Sequence, residues 1–127
     1  MRTPREVSES YWAAECRRDI DVVMAHYQPD ATYQDAGGLL RGAAQIRGFY
    51  EASMRDYPAL EVTILREFTG SPDASAFEVY AVLTDHAGER FVIGGLISIA
   101  VRDGKMASIR CYEDPLSPDP PGGQAAP

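Results

Sequence analysis

The sequence has 127 residues, 45% hydrophobic and 9% aromatic, a size and apolar fraction that suit one domain with its own core. A net charge of −7 and a pI of about 4.7 oppose phosphate backbones, so neither nucleic acid nor an anionic membrane is an expected partner. Two cysteines, Cys16 and Cys111, are too few for a disulfide framework, and free thiols are expected. The N-terminal stretch lacks the apolar run of a signal peptide, and no segment reaches the ~20 apolar residues of a membrane helix. A cytoplasmic protein is the expectation.

Helical spacing of Val7, Tyr11 and Ala14 predicts a first helix from about Ser8 to Arg18. Asp19 is a candidate N-cap for a short second helix through Met24 to Tyr27, which Pro29 ends. Ala31 to Asp35 reads as a short strand, broken by Gly37 and Gly38. Ile46, Phe49, Tyr50 and Met54 recur at offsets of three and four, predicting a third helix from Ala43 to Arg55.

The remainder reads as β-structure. Leu60, Val62, Ile64 and Phe68 recur with period two, interrupted at Arg66. Phe77, Val79, Ala81 and Leu83 alternate with Glu78, Tyr80, Val82 and Thr84. Phe91 to Val101 is nearly all apolar, which predicts burial on both faces, with Gly94 and Gly95 marking a bend or bulge. Asp103-Gly104 is a hairpin signal, and Met106 to Tyr112 is the final strand. From Pro115 onward, five prolines and Gly122-Gly123 predict a disordered tail over 115–127, leaving a domain of residues 1–114. Helices segregated from long strands give an α+β domain, with helices on one face of an antiparallel sheet. If that sheet curls, a pocket opens between its concave face and the helices.

Chemistry concentrates at Tyr33-Gln34-Asp35-Ala36-Gly37-Gly38, where a carboxylate ends a mostly apolar strand. Such an Asp serves as a general base in a dry pocket, or caps the Gly-Gly turn. The surrounding pattern resembles the ketosteroid isomerases of the NTF2-like superfamily. The residues that carry the resemblance are Tyr11-Trp12-Ala13-Ala14, Asp30-Ala31-Thr32-Tyr33-Gln34-Asp35, Arg41-Gly42 and Ala44-Gln45-Ile46-Arg47-Gly48-Phe49-Tyr50. The separation of Tyr11 and Asp35, 24 residues, matches the family's spacing between its oxyanion-hole tyrosine and its base. Tyr27 and Tyr50 stand where some members hydrogen-bond that tyrosine to two others.

The resemblance implies an NTF2-like cone, a curved antiparallel sheet and three helices around an apolar pocket. It implies Asp35 as general base and Tyr11, tuned by Tyr27 and Tyr50, as oxyanion donor. The activity implied is isomerisation, or cyclisation as in SnoaL-like polyketide cyclases, on an apolar carbonyl substrate without a cofactor. Relatives pair through their sheets, so a homodimer is expected. One departure stands out. The family's second oxyanion donor, a protonated aspartic acid on the long strand, aligns with Ile97, which cannot donate.

Expected wall residues are Phe49, Met54, Val82, Ile93 and Ile97, with Ile46 and Phe91 as further candidates. Tyr80, Cys111 and Glu113 are candidates for polar contacts, while Glu78 is expected on the solvated face. Trp12, on another side of its helix, is expected between subunits. His26 and His86 have no carboxylates at metal-ligand spacing, so no metal site is expected. Two alternatives stay open: an NTF2-like epoxide hydrolase, whose Tyr-x-Asn Tyr33-Gln34-Asp35 loosely resembles, and a non-catalytic ligand-binding or dimerisation domain.

Overall fold

The computed structural model describes residues 2–114. The segment 115–127, expected as a disordered tail, lies outside the described residues. Helix α1 (Pro4–Cys16) begins earlier than its apolar spacing predicts. Thr3 is the reason. Its side chain accepts from the Glu6 N–H, the Glu6 carboxylate accepts from the Thr3 N–H, and Pro4 occupies the first turn, where no donor is needed. Asp19 caps α2 (Ile20–Ala25) as expected, accepting from the Val22 N–H at 3.3 Å.

Strands β1 (Tyr27–Asp35), β2 (Gly38–Arg41), β3 (Ala59–Ser71), β4 (Ala74–Thr84), β5 (Arg90–Arg102) and β6 (Lys105–Asp114) form one sheet in the order β2-β1-β6-β5-β4-β3. Helix α3 (Ala43–Asp56) lies between β2 and β3 in the chain. The sheet is mixed rather than wholly antiparallel, because β1 runs parallel to β6 with Tyr33 opposite Ile109. Strand β2 carries no sequence signal of its own. It is four residues long, Leu39 is exposed, and it exists by pairing back on β1, with Asp35 opposite Gly38. The Asp103-Gly104 hairpin forms as expected. Both residues have positive φ, and Arg102 pairs with Lys105.

A bulge between Ile64 and Arg66 resets which side chains of β3 face inward. Before it, Leu60, Val62 and Ile64 pair with the inward-facing set of β4; after it, Glu67 turns in and Phe68 turns out, half exposed. Phe68 is therefore not a core residue, although its spacing suggested one. The inward Glu67 accepts from the buried Ser75 hydroxyl at 2.7 Å.

The expectation that β5 is buried on both faces does not hold. Ile97, Ile99 and Val101 are buried, whereas Leu96, on the opposite face, is 39% exposed. The helices cover only one face, so alternate residues of β5 face out. Gly94 and Gly95 carry no bulge either, since β4 and β5 pair in unbroken register from Ala74–Ala100 to Thr84–Arg90. What Gly95 permits is close approach: a Cβ there would stand 2.8 Å from the Tyr112 carbonyl oxygen of β6.

The core lies between the helices and the inner face. Val7, Tyr11, Trp12 and Ala14 from α1 and Ile46 and Tyr50 from α3 pack on Phe77, Val79, Ile99 and Ile109. Trp12 is a core residue, meeting the Phe77 ring edge-on at 5.6 Å, and is not free for a subunit interface. Among the described residues no helix is long and apolar enough to cross a membrane.

Candidate active site

Burial of three tyrosines forces their hydroxyls to find partners. Tyr11 of α1, Tyr27 of β1 and Tyr50 of α3 are each at most 3% exposed. The Tyr50 hydroxyl bonds both to that of Tyr27, at 2.6 Å, and to that of Tyr11, so the three form a chain with Tyr50 in the middle. Burial, the largest cause, raises the pKa of all three, so they remain phenols, and hence donors, throughout the working pH range.

Tyr11 borders a cavity of about 380 Å³ enclosed by α1, α3 and the concave sheet. Trp12 and Glu15 share the α1 wall, while Phe49, Ser53 and Asp56 form the α3 wall. Val79, Ala81 and Leu83 of β4, with Ile93 and Ile97 of β5, form the apolar floor. Tyr33 and Asp35 of β1 and Cys111 and Glu113 of β6 complete the circuit. A ligand here needs a largely apolar body and meets polar groups at a few places.

Asp35 reaches the cavity from the corner between β1 and β2. It is half-buried at the mouth, not sunk in the floor, and its Oδ1 accepts from the Gly37 N–H at 2.8 Å. The turn-capping role and the cavity-facing role coexist in one carboxylate. Glu113 stands nearby on β6. Burial of its carboxyl and the Asp35 carboxylate both raise its pKa. The Cys111 thiol, donating to the Tyr33 hydroxyl at 3.6 Å, is pushed up to about 12 by burial and stays a thiol.

Several expected wall residues lie elsewhere. Tyr80 and Val82 pair with Thr63 and Glu61 of β3 and alternate with the cavity-facing Val79, Ala81 and Leu83. Strand parity puts them on the outer face. Glu78 is on that face too, as expected, in an ion pair with Arg66 at 2.8 Å. Met54 packs against the core without bordering the cavity, and Ile46 is fully enclosed beneath it. Phe91 packs edge-on against Tyr57 at 5.7 Å, outside the lining.

Glu15 is the site residue that sequence reasoning missed. It stands one helical turn after Tyr11, on the face α1 turns to the cavity. Its side chain is 15% exposed, with the Arg18 guanidinium 4.0 Å away. Desolvation by burial pushes its pKa up to about 7; the Tyr11 phenol, by hydrogen bonding, and Arg18, by charge, oppose the rise, and Glu113 adds to it. Arg18 is itself held in place, donating to the Tyr57 carbonyl at 3.0 Å and to Ser53 Oγ at 3.1 Å. The available signal was a carboxylate at i+4 from a core tyrosine, on the apolar stripe of an amphipathic helix.

Neither histidine borders the cavity. His26 Nδ1–H donates to the Val22 carbonyl, which leaves Nε2 to accept from the Ser10 hydroxyl at 2.7 Å. His86 Nε2–H donates to the Arg55 carbonyl at 2.6 Å. No group of three or more His, Cys, Asp or Glu side chains could hold a metal ion among the described residues.

Many solved structures share this fold, among them the following three. A ketosteroid isomerase-like protein from Catenulispora acidiphila, in complex with trimethylamine, is 22% identical over 91% of this chain and 89% of its own, with a TM-score of 0.77. The Δ5-3-ketosteroid isomerase of Mycobacterium sp. is 22% identical over 87% of this chain and 93% of its own, with a TM-score of 0.79. An LEH-like epoxide hydrolase of Mycobacterium tuberculosis is 23% identical over 85% of this chain and 80% of its own, with a TM-score of 0.75. No protein of curated function matches the sequence. Residues 8–109 match the model of the SnoaL-like domain, and with its three helices and curved mixed sheet the chain belongs to that family, within the NTF2-like superfamily.

Proposed function

We propose that this protein catalyses proton transfer on an apolar, carbonyl-bearing small molecule, in a double-bond isomerisation or an aldol-type cyclisation. Asp35 is the general base and takes the proton from the carbon beside the carbonyl. Tyr11 donates a hydrogen bond to the carbonyl oxygen as it gains charge, and Tyr50 and Tyr27 hold that phenol in place. Proton transfer by a positioned carboxylate contributes roughly 10²–10⁴ in rate, and one oxyanion donor roughly 10²–10³.

The observation that carries this reading is the shared cavity. The Tyr11 phenol and the Asp35 carboxylate reach one apolar chamber from separate elements, α1 and β1. Its enclosed side strengthens hydrogen bonds to a developing charge, and its mouth leaves Asp35 accessible to an entering substrate. The fold likeness to a ketosteroid isomerase supports the same chemistry.

The carboxyl groups of Glu15, Asp35, Asp56 and Glu113 around the cavity support a second reading, in which a carboxylate activates water to open an epoxide. A screen of β,γ-unsaturated ketones and epoxides, followed spectroscopically, separates the two. The first reading predicts turnover of a ketone and a loss of at least about 10²-fold in Asp35→Asn, with the fold retained. Turnover confined to epoxides selects the second, and unchanged ketone turnover in Asp35→Asn removes the role given to Asp35.

A further inference from the structure

We propose that Glu15 is the second acid of this site, its protonated carboxyl donating a hydrogen bond beside Tyr11 to the same substrate oxygen. This inference rests on the proton-transfer reading of the cavity and identifies a donor that the strand position, Ile97, cannot supply. Ile97 is buried in the cavity floor and carries no polar atom in its side chain.

Placement is the first ground. Tyr11 and Glu15 are four residues apart on α1, so their side chains project from one face, and both border the cavity. The Tyr11 phenol is near enough to the carboxyl to oppose the rise in its pKa. An oxygen seated between the two meets both donors without any movement of the helix.

Elimination is the second ground. Ser53 receives the Arg18 guanidinium, and Cys111 donates its proton to Tyr33. Asp56 is exposed and pairs with Arg55 at 3.4 Å, while Glu113 stands beside Asp35. Among the cavity's carboxyls, Glu15 alone combines an enclosed side chain with a place next to the Tyr11 phenol.

The protonation state agrees with that placement. Groups that act on Glu15 come from several elements around it: Tyr11 on α1, Arg18 just after that helix ends, Tyr50 on α3, Tyr27 on β1, Cys111 and Glu113 on β6. Only Arg18 brings positive charge, and desolvation outweighs it, so the carboxyl holds its proton up to about pH 7. In the reaction no proton leaves Glu15. Asp35 takes the carbon proton and returns it, while the charge arising on oxygen is shared between the two O–H donors. Above pH 7 Glu15 ionises and repels that charge.

The test uses 2-naphthol, an apolar phenol that places a hydroxyl oxygen between two donors and stays neutral to beyond pH 8.5. Binding is followed by quenching of Trp12, the sole tryptophan, which borders the cavity. Wild type binds with constant affinity at pH 5.5–6.5 and weakens by roughly tenfold per unit above pH 7, as loss of one proton requires. Glu15→Gln, with a weaker but permanent donor, binds with the same affinity from pH 5.5 to 8.5. Glu15→Leu, checked for folding by circular dichroism, binds at least about tenfold more weakly than wild type at pH 6. A wild-type pH dependence preserved in Glu15→Gln overturns the proposal, as does wild-type affinity in Glu15→Leu at pH 6. Naphthol binding does not use the base, so the general-base role fails separately, through full turnover by Asp35→Asn.

Discussion

The Tyr27 hydroxyl lies 2.6 Å from that of Tyr50, which ties the first strand to the third helix behind the cavity wall. Tyr50 passes the connection on to Tyr11, the member of the chain that borders the cavity. In the proposed mechanism Tyr11 is the donor that meets substrate, with Tyr50 and Tyr27 as positioning residues. Tyr11→Phe is predicted to lower kcat/KM by roughly 10²-fold, about 3 kcal/mol of transition-state stabilisation. Tyr27→Phe, remote from the cavity, is predicted to cost about 1 kcal/mol of stability and only a few-fold in rate. Equal rate losses in the two variants would contradict the order of the chain.

Stability should fall as pH rises between about 4.5 and 7. Glu15 has an ordinary pKa of 4.5 and a folded value of about 7, raised chiefly by desolvation. Below pH 4.5 the carboxyl is protonated in both states and contributes no pH dependence. Across the window the unfolded chain releases the proton while the folded chain keeps it, so stability declines with pH and levels off above 7. The full loss is on the order of 3 kcal/mol. Thermal melts of wild type and Glu15→Gln from pH 4.5 to 8 measure it as a widening difference between them. A difference independent of pH would show that Glu15 is not desolvated.

Gly95→Ala is predicted to destabilise the fold by about 1–3 kcal/mol. The added Cβ would lie 2.8 Å from the Tyr112 carbonyl oxygen and 3.0 Å from Glu113 Cα, both backbone atoms of a paired strand. By contrast Gly48, on α3, has nothing within 4 Å of a built Cβ. Gly48→Ala should therefore stabilise slightly, through helix propensity. Denaturant midpoints of the two variants should move in opposite directions.

Occupation of the cavity should be visible without labels. Trp12 packs on Phe77 on one side and borders the cavity on another. An apolar ketone bound there is predicted to shift or quench its emission, and Val79→Phe, which fills the floor, to abolish the response while an intact circular dichroism spectrum confirms folding.

Much of this molecule is written locally. The Asp19 cap, the Asp103-Gly104 hairpin and the helical spacing of Ile46, Phe49 and Tyr50 depend on neighbours in the chain, and each lies where its residues indicate. Facing is harder, because it depends on parity. One bulged residue after Ile64 turned Phe68 outward, and the period-two rule alone could not assign Tyr80 and Val82 to the inner or outer face. Strand β2 exists only because β1 offers an edge, a long-range cause invisible in Gly38–Arg41 itself. Asp35 and Tyr11 were legible through their spacing and company. Glu15 was not, since a charged residue on a helix is ordinarily solvated, and only the sheet folding over it creates its burial.

Exchange of a substrate's own hydrogens tests the central claim most directly. In D₂O, proton NMR of a β,γ-unsaturated ketone incubated with the protein should show deuterium entering the carbon beside the carbonyl. The rate with wild type should exceed that with Asp35→Asn by at least about 10²-fold, with both proteins equally folded. Exchange at the same rate in the two would contradict a base at position 35.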